Sequence, residues 1–251
     1  MIDDSGNQKE GQMGPIVITG AAKGIGLGVA SAVRAAGMDA VIFDADTDGS
    51  RSASEIGAGF HRVNVTDRDE LEAAFSRVAE ERGPISGLVN SAGLTRTGPS
   101  AELSVADWKL VIDVDLTGTF FACQAAFPYL AETASIVNLA SIASARALPE
   151  RVAYTAAKFG VVGVTRVLAV EWAERGIRVN AVAPAWTETL LVTELVAAGK
   201  IDREDLSSRI PMKRLARVDD VAGAVMFFLG ADSPYITGQT LYVDGGYTWA
   251  G

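Results

Sequence analysis

The sequence predicts an α/β protein built on one doubly wound parallel sheet of about seven strands, with helices on both faces. Three observations carry this. Short apolar runs alternate with longer stretches of helical periodicity, the signature of βαβ units whose strands are buried on both faces. The first such unit encloses a glycine-rich turn. No internal repeat, low-complexity block or Pro/Ser-rich linker divides the 251 residues, a length that one large domain can accommodate.

Taken in order, the predicted strands are "PIVITG", "DAVIFD", "GFHRVNV", "SGLVNSAG", "SIVNLAS", "IRVNAVAP" and "QTLYVDGG". Between them, periodicity predicts helices over Ile25–Ala36, Asp67–Arg82, Ala106–Leu130, Val152–Arg175 and Val218–Leu229. Right-handed crossovers then wind the sheet in both directions. The polar, acidic "MIDDSGNQKEGQMG" reads as a mobile tail over residues 1–13, unlike the basic start and apolar middle of a signal peptide. Residues 14–251 form the single domain. Within it, the stretch from Thr187 to Met212 breaks the rhythm: it is helix-rich, without a strand, and follows the sixth strand directly. Open α/β sheets bind ligands at the carboxyl ends of their strands, so this insertion is expected to form a lid over about 187–212.

Composition excludes several function classes. The net charge of −9 and a pI near 4.7 disfavour nucleic acid and anionic lipid, which need Lys and Arg for counterion release. One histidine, His61, rules out multi-histidine metal sites and makes a Ser-His-Asp triad improbable, so no metal is expected. A single cysteine, Cys123, permits no internal disulfide and is expected in the core of the "FFACQAAF" helix. Charges interrupt every apolar run before the roughly 20 residues that span a bilayer, so no membrane segment is expected and the protein is placed in the cytoplasm.

The chemistry is carried by two patterns. "PIVITGAAKGIGLGVASAV" is a strand, a glycine-rich turn and a helix in succession, with Gly20, Gly24 and Gly26 letting the backbone approach a pyrophosphate at the positive helix N-terminus. Asp44 ends the next strand, 18 residues after Gly26, where a carboxylate accepts from the adenosine ribose hydroxyls and repels a 2′-phosphate. Lys23, beside the loop, would attract that phosphate. The carboxylate conflict is the more costly, so NAD is favoured over NADP. The second pattern is Tyr154 with Lys158 four residues on, which share one helix face. An unperturbed phenol titrates near about 10, too high for base work at neutral pH. A lysine cation about 4 Å away would favour phenolate by about 4 kcal/mol at an effective dielectric near 20.

Together these motifs resemble the classical short-chain dehydrogenase/reductase (SDR) family, from about Pro15 to Gly246. "TGAAKGIG" is similar to its TGxxxGxG loop and "NSAG" (Asn90–Gly93) to its NNAG motif, with Ser91 a departure. "NLASIAS" places Ser141 thirteen residues ahead of Tyr154, the family's spacing. "VAPAWTET" fits its Pro-Gly motif with Ala185 replacing the glycine, and "YITGQTLYVDGG" fits its last strand. The resemblance implies a Rossmann-type oxidoreductase moving hydride between a secondary alcohol or its ketone and a nicotinamide. It implies Tyr154 as the general acid/base, Ser141 holding the substrate oxygen, and Lys158 tuning the phenol while binding the nicotinamide ribose. Ile25 would touch the cofactor through its backbone, Asn64 and Val65 would flank the adenine, and Asn90, Ala92 and Gly93 would line the adenosine side. Pro184, Thr187 and Thr189 would meet the carboxamide and pyrophosphate. Asn64 stands where the family commonly has aspartate. More consequentially, Asp115 in "VIDVDLTGTF" stands where the family's fourth catalytic residue is usually asparagine. An ionised aspartate only accepts hydrogen bonds, so a shifted pH–rate profile is expected.

Arg96, Arg146 and Trp186 fall in segments expected to line the substrate pocket, together with Glu150 and Arg151. That polarity, with similarity of "VNSAG" and "DGGYTW" to sugar-alcohol oxidisers, suggests a polyol or related secondary alcohol. The alternatives are a 3-oxoacyl-(acyl carrier protein) reductase and, from another class, an NAD-binding sensor or scaffold without turnover. Val161, Val162, Val164, Val167, Leu168, Val170 and Trp172 make the Tyr154 helix apolar around most of its circumference, which predicts a subunit contact; the family resemblance implies a homotetramer, with a dimer as the alternative. Tyr247 and Trp249 are expected to reach a neighbouring subunit.

Overall fold

The structure, a computed structural model, describes residues 13–197, 199 and 201–250; the expected tail before Met13 lies outside the described residues. Seven strands are laid down: β1 (Ile16–Thr19), β2 (Ala40–Asp44), β3 (Gly59–Arg62), β4 (Ile85–Asn90), β5 (Leu130–Leu139), β6 (Arg178–Pro184) and β7 (Thr240–Val243). They form one all-parallel sheet in the order β3-β2-β1-β4-β5-β6-β7. The chain winds outward from β1 to β3, then returns to β4 and winds the other way. The crevice at this switch lies at the carboxyl ends of β1 and β4, where ligands bind in such sheets.

Alternation along the strands builds two cores. Ile16 and Ile18 of β1 join Val29, Val33, Val225 and Phe228 on one face, under α1 (Gly24–Ala35) and α9 (Val218–Leu229). Val17 points the opposite way into a cluster with Phe43, Phe75, Leu88 and Ile136. That second face is covered by α3 (Arg68–Arg82), α5 (Gly118–Ala126) and α6 (Val152–Glu171). α3 begins where the Asp67 carboxylate accepts from the backbone of Asp69 and Glu70, an N-cap that satisfies two orphan donors.

Three differences from the sequence reading have physical causes. First, α2 (Gly49–Ile56) occupies a stretch assigned no element; it is polar and short, with only Gly49 and Ala53 buried, so it shows little apolar periodicity. Second, the long helix expected over Ala106–Leu130 is split. α4 (Val105–Ile112) passes through a π turn, Asp113–Thr117, into α5, and a 3₁₀ turn at Phe127–Tyr129 ends it at Pro128. A π turn inserts an extra residue into the helical repeat, and here it carries the buried Asp115. Third, Val105–Tyr129 and Val152–Glu171 are each long and apolar enough to cross a membrane by length and composition, contrary to expectation. Their most apolar windows are 44% buried within the fold, and each segment carries one buried charge, Asp115 and Lys158 respectively.

The inserted segment holds α7 (Leu190–Ala197) and α8 (Arg203–Ser208), and an isolated parallel bridge joins Thr187 to Ala216. α5 lies so close to the exit of β3 that a Cβ on Gly118 would fall 2.7 Å from Val65 Cγ2. Gly118→Ala should therefore destabilise the protein by about 1–3 kcal/mol through overpacking, read as a lower denaturant midpoint at unchanged m-value.

Candidate active site

The glycine loop is held from two sides. Gly20 and Gly24 adopt φ of 65° and 64°, a region that side-chain-bearing residues avoid. A Cβ on Gly20 would fall 2.4 Å from the Ala92 backbone, and one on Gly26 would fall 2.4 Å from the Gly20 carbonyl oxygen. The Thr19 hydroxyl accepts from the Ser91 and Ala92 amides, tying the "NSAG" segment, including Gly93, to the loop. α1 starts at Gly24 with no side chain capping it, which leaves its first N–H groups, Ile25 among them, for an anion. Above Gly24 the nearest neighbour to an added Cβ would be the Thr189 methyl at 3.9 Å, so this cradle has room for a phosphate.

Asp44 does two things at the end of β2. Its Oδ2 accepts from Ala22 N at 2.8 Å and its Oδ1 from Asp46 N at 2.9 Å. The carboxylate so braces the loop and retains lone pairs for further donors. Lys23 is exposed and directed at Asp46, 3.6 Å away. Asn64 is exposed and bonds Thr66, while Val65 is buried beside Gly118. Pro184 ends β6, and Thr187 is buried with its hydroxyl on Ala185 O. The residues present fit a dinucleotide.

The reactive constellation assembles from β4, the π turn, β5 and α6. Ser141 follows β5 and caps the 3₁₀ turn Ile142–Ser144, its Oγ accepting from Ala143 N at 3.1 Å, so its own proton remains free to donate elsewhere. Lys158 is 5% exposed and donates to Leu139 O at 2.9 Å. Its Nζ lies 3.2 Å from Asp115 Oδ2 and 5.5 Å from the Tyr154 ring centroid. Burial by itself would lower the lysine pKa, but Asp115 and Tyr154 outweigh it and hold the ammonium above the ordinary lysine range. Asp115 is wholly buried, its Oδ1 accepting from Leu94 N at 2.8 Å.

The expected substrate-side residues are placed differently from one another. Arg96 pairs with Asp107 at 3.1 Å on the exposed start of α4. Arg146 turns to the C-terminal segment, donating to Tyr247 O and Ala250 O, with its guanidinium 5.2 Å from the Tyr247 ring. Trp186 packs with Leu206, Ile210 and Leu215 of the inserted segment, and Arg151 sits 4.7 Å over its ring. The arginines thus engage carboxylates, carbonyls and aromatic faces of the chain itself. A cleft of about 650 Å³ lies elsewhere, between Met212, Arg214 and β7; Ser141, Tyr154 and Lys158 do not line it.

Comparison with known proteins places this geometry in a family. The sequence family described as enoyl-(acyl carrier protein) reductase matches residues 20–248. D-threitol dehydrogenase of Mycolicibacterium smegmatis is 42% identical over 242 residues, 92% of each chain. The chain belongs to the short-chain dehydrogenase/reductase family. The 3-oxoacyl-[acyl-carrier-protein] reductase FabG of Thermotoga maritima is 36% identical over 92% of this chain and 96% of its own. Among solved structures, ElxO with NADP bound superposes with a TM-score of 0.89 at 28% identity, covering 94% of this chain and 98% of that one. This SDR is an NAD(P)-dependent oxidoreductase acting on secondary alcohols and their ketones.

Sequence reasoning missed a buried polar chain inside this SDR. Asn90 Nδ2 donates to Asn138 Oδ1 at 2.8 Å, and Asn138 Nδ2 donates to Thr165 Oγ1, linking β4, β5 and α6. Cys123 lies against it, its thiol pushed up to about 12 by burial, and is therefore protonated and unreactive. Two amides on separate strands and a hydroxyl on a helix give no spacing signal; only the NSAG match pointed to Asn90. The Lys158–Asp115 pair generates a stability prediction. Lys158→Met leaves a buried carboxylate unpaired and should cost about 3–5 kcal/mol, most of it recovered in Lys158→Met/Asp115→Asn. Because the folded lysine pKa is raised, its stabilisation is present below about 10.4 and fades only as pH rises through the folded value. The difference between native protein and the double variant, which buries neither charge, should therefore stay flat from about pH 6 to 9 in chemical denaturation; losses that simply add across Lys158→Met, Asp115→Asn and the double variant would show the two groups uncoupled.

Proposed function

We propose that this SDR is an NAD-dependent polyol dehydrogenase, in which Tyr154 exchanges a proton with the substrate oxygen. The observation that carries the reading is the buried Lys158 ammonium, fixed by Leu139 O and Asp115 and set against the Tyr154 ring. That places Tyr154 and Lys158 on one face of α6, the arrangement in which the phenol can exchange a proton with a substrate oxygen. Ser141, with its hydroxyl proton free, donates to the substrate oxygen and positions it. Lys158 also binds the nicotinamide ribose, and the α1 N-terminus with Gly24, Ile25 and Thr189 takes the pyrophosphate. Bound nicotinamide supplies the hydride acceptor for alcohol oxidation or the donor for ketone reduction.

Two features support NAD over NADP. Asp44 and Asp46 put two carboxylates at the ribose end of the cradle, and Lys23 is turned toward Asp46 rather than standing free. The similarity to D-threitol dehydrogenase supports a polyol. The similarity to the Thermotoga reductase keeps 3-oxoacyl reduction as the second reading, with Asp44 against it. The helices after Thr187 act as the lid, since Trp186 at their base is packed under Arg151 and Thr189 stands above the glycine loop across open space.

We further place the protein in the cytoplasm as a homotetramer. On α6, Phe159 is 50% and Val170 78% exposed, and Trp108 and Phe120 add apolar surface on α4 and α5. β7 ends the sheet with an unpaired edge and exposed Leu241. These are faces that a second copy would cover.

Turnover should appear with NAD and sugar alcohols in a panel of polyols and simple secondary alcohols, with NADP a poorer partner. Tyr154→Phe should reduce kcat by at least about a hundredfold, the usual scale for losing a positioned proton donor, while leaving NADH binding intact. NADH binding without turnover on any alcohol or matching ketone would move the protein to a sensor role.

A further inference from the structure

The Asp115 carboxylate is wholly enclosed by the chain. Oδ1 is taken by Leu94 N, and Oδ2 has no aligned hydrogen-bond partner, only Lys158 Nζ at 3.2 Å. A Cβ on Gly93 would fall 2.9 Å from Oδ2, so the backbone closes on the carboxylate and leaves no room for a larger group. Both charges are buried, and the titratable groups acting on the lysine are Asp115 and Tyr154. Asp113, in the same π turn, is exposed and bears on neither. The ammonium and carboxylate therefore form a pair with no net charge.

That neutrality has a consequence for which form of the cofactor the site holds, on the reading above that Lys158 binds the nicotinamide ribose. The oxidised nicotinamide ring carries one more positive charge than the reduced ring. An uncompensated buried ammonium beside it would repel the oxidised form and favour the reduced one. We infer that Asp115 is a positioning residue for redox preference: by cancelling the charge of Lys158 it raises the affinity for NAD relative to NADH, and so favours the oxidised cofactor that alcohol oxidation uses. An asparagine would keep the shape and the bond from Leu94 N but not the charge. A single charge about 10 Å from a cation, at an effective dielectric near 20, alters its binding by roughly tenfold.

The test is the dissociation constant of NAD and of NADH, each read by fluorescence titration at pH 7 and fixed salt, without substrate. In Asp115→Asn the ratio Kd(NAD)/Kd(NADH) should rise roughly tenfold, mainly through weaker NAD binding. Glu72→Gln, which removes one charge from the exposed Arg68–Glu72 pair, should leave the ratio unchanged. If the asparagine variant does not fold, Asp115→Ser removes the same charge and leaves a hydroxyl for Leu94 N, and the same rise is expected. A ratio within twofold of native, with both forms bound, overturns the inference alone. Native protein that binds neither form overturns the nicotinamide reading, and this inference with it.

Discussion

A lysine ammonium taken out of water organises this structure. Desolvating that charge is tolerable only if every donor finds an acceptor and a counter-charge lies close. Lys158 is met by the Leu139 carbonyl at the end of β5 and by Asp115 from the π turn. Asp115 must in turn be held, and Leu94 N beyond β4 holds it. One charge therefore ties two strand ends and two helices to a single point. It also accounts for the break in the long helix, since the extra residue of a π turn accompanies the inward placement of Asp115.

The sheet supplies the other half of the site. Because β1 and β4 are neighbours although separated by two strands in sequence, Thr19 and Asn90 stand side by side at the switch point. The Thr19 hydroxyl then fastens the segment after β4 to the glycine loop, and Asp44 braces that loop from β2. Asp44 is thus a structural brace of the loop. A buried amide chain, Asn90–Asn138–Thr165, continues from the same point through β5 to α6, so the cofactor side and the Tyr154 helix share one rigid base.

The arginines singled out in the sequence are held by the chain's own carboxylates, carbonyls and aromatic rings. Arg146 and Arg151 are drawn to Tyr247 and Trp186, where cation–π contact and carbonyl bonds fasten the C-terminal turn and the inserted helices near the Ser141–Tyr154 loop. Tyr247 is partly buried against Leu206, Ile210 and Leu215 of its own chain, while Trp249 is exposed.

By itself the sequence determined the strand order of appearance, the glycine loop, Asp44, and the Ser141, Tyr154 and Lys158 spacings, because each is a local pattern: burial on two faces, a turn that only glycine permits, or residues one helical turn apart. It also exposed Asp115 as a departure. Tertiary structure alone decided that Asp115 forms a buried pair with Lys158, that the long helix breaks to deliver it, that Asn90 and Asn138 meet, and that the arginines bind aromatic rings. Those outcomes depend on which groups from distant segments are brought out of water together. Burial sets the strength of each such interaction, and no spacing within one segment records it.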